Sequence, residues 1–353
     1  MDAIEPQGEE ELPLLSVPTP PGPSLRRLLV GDDGLRAGWS LLLFALLLGL
    51  LGGTSNFLIR HFHLLPHAAA TATREMRVRS TVIGEALAFS AVAFVAFLMS
   101  RIERRPFSRY GLSRQYMLPD FFFGLAVGLI ALSGLAGALV LAHALTFDGV
   151  LLHGRVAVIS ALGWLLAFLL VGLLEEFTTR GYLQYTVARG VAGLARALAP
   201  DQRHSHAIGF WVAASLFSVC FFMAGHLGNT GETASGILAV GLAGAVFAFS
   251  LYRTGTLWWA IGFHTAWDWA QSFLYGVADS GLLAENRLLA AHPTGSALLS
   301  GGTTGPEGSL LVIPTLLLVA GVIYIALPRR AYPLTHDQTE LPAAASDPMA
   351  DQR

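Results

Sequence analysis

Lysine is missing from this sequence. All 22 basic residues are arginines, set against 24 Asp and Glu for a formal net charge of −2. A near-neutral chain presents no basic field to a polyanion, so nucleic acid is excluded as a partner. Cysteine is almost absent too: Cys220 stands alone, which excludes an intrachain disulfide. The signatures HExxH, GxSxG, the Walker loop and paired cysteines do not occur. Charged residues of any kind make up only 13% of the chain, while 54% is hydrophobic and the mean hydropathy is +0.57. Such a composition excludes an ordinary water-soluble enzyme and points to a polytopic membrane protein, whose spans each need ~20 mainly apolar residues.

The patterning predicts an all-α, polytopic membrane helix bundle of about eight transmembrane helices. Residues 1–36 hold Glu9, Glu10 and Glu11, six prolines and no aromatic residue, which predicts a disordered cytoplasmic leader. The first apolar run lies behind that leader and is too long for the core of a cleavable signal. The membrane domain is expected over 37–330. Its candidate spans are Trp39–Ile59, Thr81–Ser100, Phe121–Leu145, Val156–Tyr185, Ala207–His226, Ala234–Leu251, Thr256–Tyr275 and Leu310–Leu327. Pro314 is expected to kink the last of these, residues 278–308 to form one long outer loop, and 331–353 a flexible tail. With the N-terminus inside, sixteen arginines fall on inner segments and six on outer ones, which places both termini in the cytoplasm of a cytoplasmic-membrane protein. Gly124 and Gly128, and Gly236, Gly241 and Gly244, mark helix faces suited to close packing.

Ionisable groups inside apolar helices are costly and call for a reason. Glu175 and Glu176 end the fourth apolar run, and Arg180 lies i,i+4 from Glu176, so those two can pair along one face. Glu175 lies ~100° round the axis and is free to face the bundle interior. His226 closes the run Phe222–His226, and His264 and Asp268 are i,i+4 on a later helix. Singly, each histidine reads as a packed or interfacial residue. Together, three helices place acid–base groups at depth, where they can converge only in a shared polar cavity. Convergence requires the fourth helix to extend to about Val187, or the fifth to start later. His61, His63 and His67 read as interfacial, and Glu85 and His143, near span ends, as reaching the headgroups.

Glu175-Glu176-x-x-x-Arg180, Phe222-x-x-x-His226 and His264-x-x-x-Asp268, in that order on three helices, resemble the CPBP family of intramembrane CAAX-type proteases and bacteriocin-processing (Abi) proteins. Arg180-Gly181-Tyr182 and the segment Arg253–Trp258 resemble it as well, and the similar core runs from about Leu173 to Asp268. Thr179 stands where the family usually has an aromatic residue, and about twenty extra residues, Gly190–Gly209, separate the first two motifs.

The resemblance implies an intramembrane endopeptidase that hydrolyses a peptide bond in a membrane-associated protein or peptide. Glu175 would activate water together with His226, and His264 and Asp268 would stabilise the oxyanion. Glu176, Arg180 and Phe222 would support the site. A carboxylate donates no hydrogen bond unless protonated, so an ionised Asp268 is better suited to orienting His264 or binding a metal. Glu175, His226, His264 and Asp268 are ligand types that zinc accepts, and the resemblance implies either a metalloprotease or a metal-free glutamate mechanism, of which the second is the expectation. Two other classes fit the composition: a catalytically silent homologue acting as a membrane scaffold or chaperone, and a proton-coupled transporter. No internal repeat supports the transporter. For the topology, a reporter fused after Arg330 is expected to read out as cytoplasmic; an extracellular signal overturns the orientation.

Overall fold

The computed structural model describes residues 29–31, 34–61, 75–198, 202–229, 231, 233–330 and 332. Most of the expected leader and tail, and His63 and His67, lie outside them. A short antiparallel pair, β1 (Val30–Gly31) and β2 (Gly34–Leu35), precedes α1 (Ala37–His61). There follow β3 (Glu75–Met76), α2 (Val78–Ile102), α3 (Met117–Leu141), β4 (Leu145–Val150), α4 (Gly154–Glu176), α5 (Gln184–Leu198), α6 (Gln202–Ala213) and α7 (Phe222–His226). The chain ends with α8 (Ala234–Thr254), α9 (Trp258–Asp268), β5 (Leu283–Ala284), β6 (Leu289–Pro293), α10 (Ala297–Ser300) and α11 (Val312–Ala326).

This is a multi-pass helical bundle. Six helices among the described residues are long and apolar enough to cross a membrane: Ala37–Ser55, Val78–Ile102, Met117–Leu141, Gly154–Leu198, His204–His226 and Ala234–Thr254. Their outer faces carry Leu50, Ile130, Leu141 and Leu162 exposed, as lipid-facing side chains are. The expected count of eight is not confirmed, since the other two expected spans form shorter helices. The seventh expected span is α9 continued without a break by a π-helical turn, Trp269–Leu274, and it is sheathed by α3, α4 and α8 and so not obliged to match lipid thickness. The eighth shrinks to the 15 residues of α11. Pro314 falls in the first turn of α11, where its missing N–H costs nothing, rather than kinking its middle.

The fourth span also ends later than expected. A π-helical turn, Phe177–Leu183, carries α4 into α5 without a break, giving one 45-residue helix. The extra residues between the first two motifs form the far half of α5 and the start of α6, packed together so closely that a Cβ on Gly209 would meet the Ala188 carbonyl at 2.4 Å. Residues 278–308 are not a plain loop. β5 pairs in parallel with β3, β6 pairs antiparallel with β4, and Thr233 Oγ1 meets Thr304 Oγ1 at 3.0 Å. The segment is thereby built over one end of the bundle. At the other end Leu257 N donates to Gly111 O (2.9 Å), and Arg330 clasps Asp120 through both terminal nitrogens (2.5 and 3.2 Å).

The centre of the bundle is the α3–α9 contact. A Cβ on Gly124 would lie 2.1 Å from Trp259 O, and one on Gly262 would lie 2.1 Å from Phe121 O. Backbones at this separation leave no room for a methyl group, which is how helices gain van der Waals contact where lipid offers no hydrophobic drive. Gly262→Ala is therefore expected to lower the melting temperature and folded yield of detergent-purified protein, by about 1–3 kcal/mol from overpacking. Gly134→Ala, with nothing within 4 Å of the added atom, should leave both unchanged.

Candidate active site

Each expected motif sits beside a π-helical turn. Glu175 and Glu176 precede Phe177–Leu183, Phe222 and His226 follow Ala214–Phe221, and His264 and Asp268 precede Trp269–Leu274. A π turn winds the chain wider than 3.6 residues per turn and re-aims the side chains that flank it. At the first, Thr179 Oγ1 donates to the Glu175 carbonyl four residues back. That back-bond is of the kind that bends helices, and an aromatic residue at this position could not make it.

Glu176 and Arg180 lie at the centre, both with fully buried side chains, and Arg180 Nη1 donates to Glu176 Oε1 at 2.8 Å. The guanidinium also lies over two aromatic faces, Phe222 at 4.5 Å and Phe247 at 5.1 Å. Phe222 thus touches α4, and the α8 residue Phe247, which sequence reasoning missed, completes the sandwich. Phe247 in turn stacks on the His264 ring at 5.5 Å.

His264 faces three carboxylates. Its Nδ1 lies 3.1 Å from Glu176 Oε1, and its Nε2 lies 3.4 Å from Asp268 Oδ2 and 3.8 Å from Glu175 Oε2. Glu175 Oε2 has no hydrogen-bond partner among the described residues. Glu175, His264 and Asp268 therefore meet, and Glu176, expected only as support, touches the same imidazole. His226 is placed differently. It lines the same cavity, but its Nδ1 is turned to the Phe222 carbonyl at 2.9 Å. The Phe222 ring contacts both imidazoles, 4.8 Å from His226 and 6.5 Å from His264.

The cavity holding these groups has a volume of about 510 Å³. It runs from Glu175, His264 and Asp268 to residues of the 276–308 segment, among them Asp279, Ser280 and Glu307. Glu85, read from sequence as reaching the headgroups, lines it too. Asp279 and Glu307 lie in a stretch whose apolar pattern carries no signal, so nothing in the sequence marked them. Asp279 accepts from Ser272 Oγ (2.9 Å), and burial pushes its carboxyl up to about 6 against that hydrogen bond, which favours the anion. Glu307 Oε1 accepts from Ser280 N (2.6 Å) and Oγ (3.0 Å).

A zinc ion would need three converging ligands. Among the described residues no group of three or more His, Cys, Asp and Glu side chains is arranged to hold an ion. Glu175, His226, His264 and Asp268, the expected ligand set, are thus not brought together around one point.

Removing one partner of the buried pair leaves the other charge uncompensated, a loss of ~3–5 kcal/mol. Arg180→Ala and Glu176→Gln should each sharply lower the melting temperature in detergent. Because the two share one interaction, the double variant should lose clearly less than the sum; additive losses would show that the pair is not coupled.

Residues 157–270 match the family model described as type II CAAX prenyl endopeptidase Rce1-like. The matched stretch holds every motif residue discussed above, from Glu175 to Asp268. No curated protein and no solved structure matches the chain.

Proposed function

We propose that this chain, which over residues 157–270 matches the type II CAAX prenyl endopeptidase Rce1-like family model, hydrolyses a peptide bond in a membrane-associated protein or peptide with water activated by Glu175. The observation that carries this is the Glu175 carboxylate at the base of the cavity, with one oxygen unpartnered and 3.8 Å from an imidazole nitrogen. Amide hydrolysis needs a base beside the water and donors beside the developing O⁻.

Glu175 takes the proton of the attacking water. His264 has its Nδ1 held by Glu176, so its Nε2 is the nitrogen left to act in the cavity. With the ring in its imidazolium form, the Nε2–H can turn from Asp268 to the oxyanion of the tetrahedral intermediate while Nδ1–H stays on Glu176. Asp268, an acceptor 3.4 Å away, orients the ring rather than donating to the oxyanion. The proton on Glu175 then passes to the leaving amine. His226 lines the cavity beyond Phe222 and serves the water or the substrate rather than contacting His264.

The setting that fits this reading is the cytoplasmic membrane, with both termini in the cytoplasm and the cavity reached from the side of the 276–308 segment. Glu175→Gln keeps shape and hydrogen bonding but removes the base. It should abolish cleavage of a membrane peptide by purified protein while leaving the melting temperature near that of the wild type. His264→Ala should be similarly inactive, and the double variant little worse, since residues acting as a unit are non-additive. Wild-type cleavage should persist in a chelator. A well-folded Glu175→Gln protein that still cleaves removes Glu175 as the base.

A further inference from the structure

Apart from His226 and His264, the ionisable groups lining the cavity are all carboxylates. Glu85 from α2, Glu175 from α4, Asp268 from α9, and Asp279 and Glu307 from the segment over the bundle end all line it, and among the described residues no arginine does. In a chain whose 22 arginines nearly balance 24 acids, that separation is local to this site. Asp279 accepts from the Ser272 hydroxyl, and Glu307 from the Ser280 hydroxyl and backbone N–H. The rest of the wall is apolar, with Val240 and Ala243 from α8 and Val312 and Leu316 from α11. Carboxylates focused in a cleft with low-dielectric walls attract a cation and repel an anion more strongly than they would in water. Glu175 Oε2 adds an acceptor in the same cavity with no hydrogen-bond partner among the described residues.

We propose that the cavity selects apolar peptides bearing a basic residue, with Asp279 and Glu307 receiving the cationic side chain, and that it rejects an acidic residue at the same place. This rests on the cavity being the active site. Exclusion is as much part of the selection as attraction, because like charge inside such a cleft discriminates by repulsion.

The test is a set of otherwise identical apolar peptides carrying Arg, Gln or Glu at successive positions. Their binding to full-length, detergent-purified Glu175→Gln protein is read by fluorescence anisotropy. At one or more positions the Arg peptide should bind about 10-fold tighter than the Glu peptide, with Gln between them, as charge complementarity ranks them. Adding Asp279→Asn and Glu307→Gln, which keep the Ser272 and Ser280 hydrogen bonds, should reduce that ratio to about threefold or less. Equal binding of Arg and Glu peptides at every position overturns the proposal, and so does a ratio that survives the added substitutions. Cleavage separates the two readings. Wild-type protein that cuts all the peptides alike is an endopeptidase without this selectivity. Selective binding with no peptide cut leaves the cationic subsite standing and removes the endopeptidase.

Discussion

A guanidinium that cannot release its proton sits where water does not reach, and most of the site geometry can be traced to that one charge. Arg180 is matched by Glu176 one turn back, roofed by Phe222 and Phe247, and approached by α8 at Gly244, where an added Cβ would come within 3.3 Å of its Nη2. The position of α7 is set by one ring and that of α8 by another. Desolvating two ions costs several kcal/mol each, so the pair is a poor source of net stability. Its effect is selective: any arrangement of the helices that leaves Arg180 without Glu176 and the rings is far worse. The pair thus fixes how three helices meet.

The same pair reaches into the chemistry through a single contact. Glu176 shares its Oε1 between Arg180 and His264 Nδ1, at 2.8 and 3.1 Å. A ring nitrogen engaged in this way decides which nitrogen faces the reaction and how the ring is turned. Fold and site therefore cannot be varied separately here. The polar groups that hold the helices are one bond from the group that would meet the oxyanion.

Much of this was legible in the sequence. Long apolar stretches announced the bundle, and a carboxylate pair, two histidines and an aspartate at depth announced the cavity, because membrane interiors make such residues conspicuous. What stayed hidden was of three kinds. The π turns beside the motifs have no signature in residue type, so the 45-residue course of α4 and α5 could not be read from hydropathy. Glu85 lies two turns inside α2, a position equally suited to headgroups or to a cavity; only the packing of α2 beside α4 decides between them. Asp279 and Glu307 sit among Gly, Ser and Thr, where acids are ordinary, and become functional candidates only because strand pairing folds their segment back over the bundle. The count of spans is left unconfirmed for a related reason. α9 is shielded by its neighbours, so its length answers to protein rather than to lipid.

Hydrolysis inside a bilayer has a supply problem that most hydrolases never meet, for the co-substrate is the solvent the membrane excludes. At ~30 Å³ per molecule in the liquid, the 510 Å³ cavity has room for on the order of ten or more waters. Its carboxylates and histidines give those waters partners from the segment over the bundle end down to Glu175. The polar lining thus amounts to an internal reservoir set among apolar helices. Water at the glutamate would then be present ahead of any peptide, and an arriving apolar segment would displace only part of it.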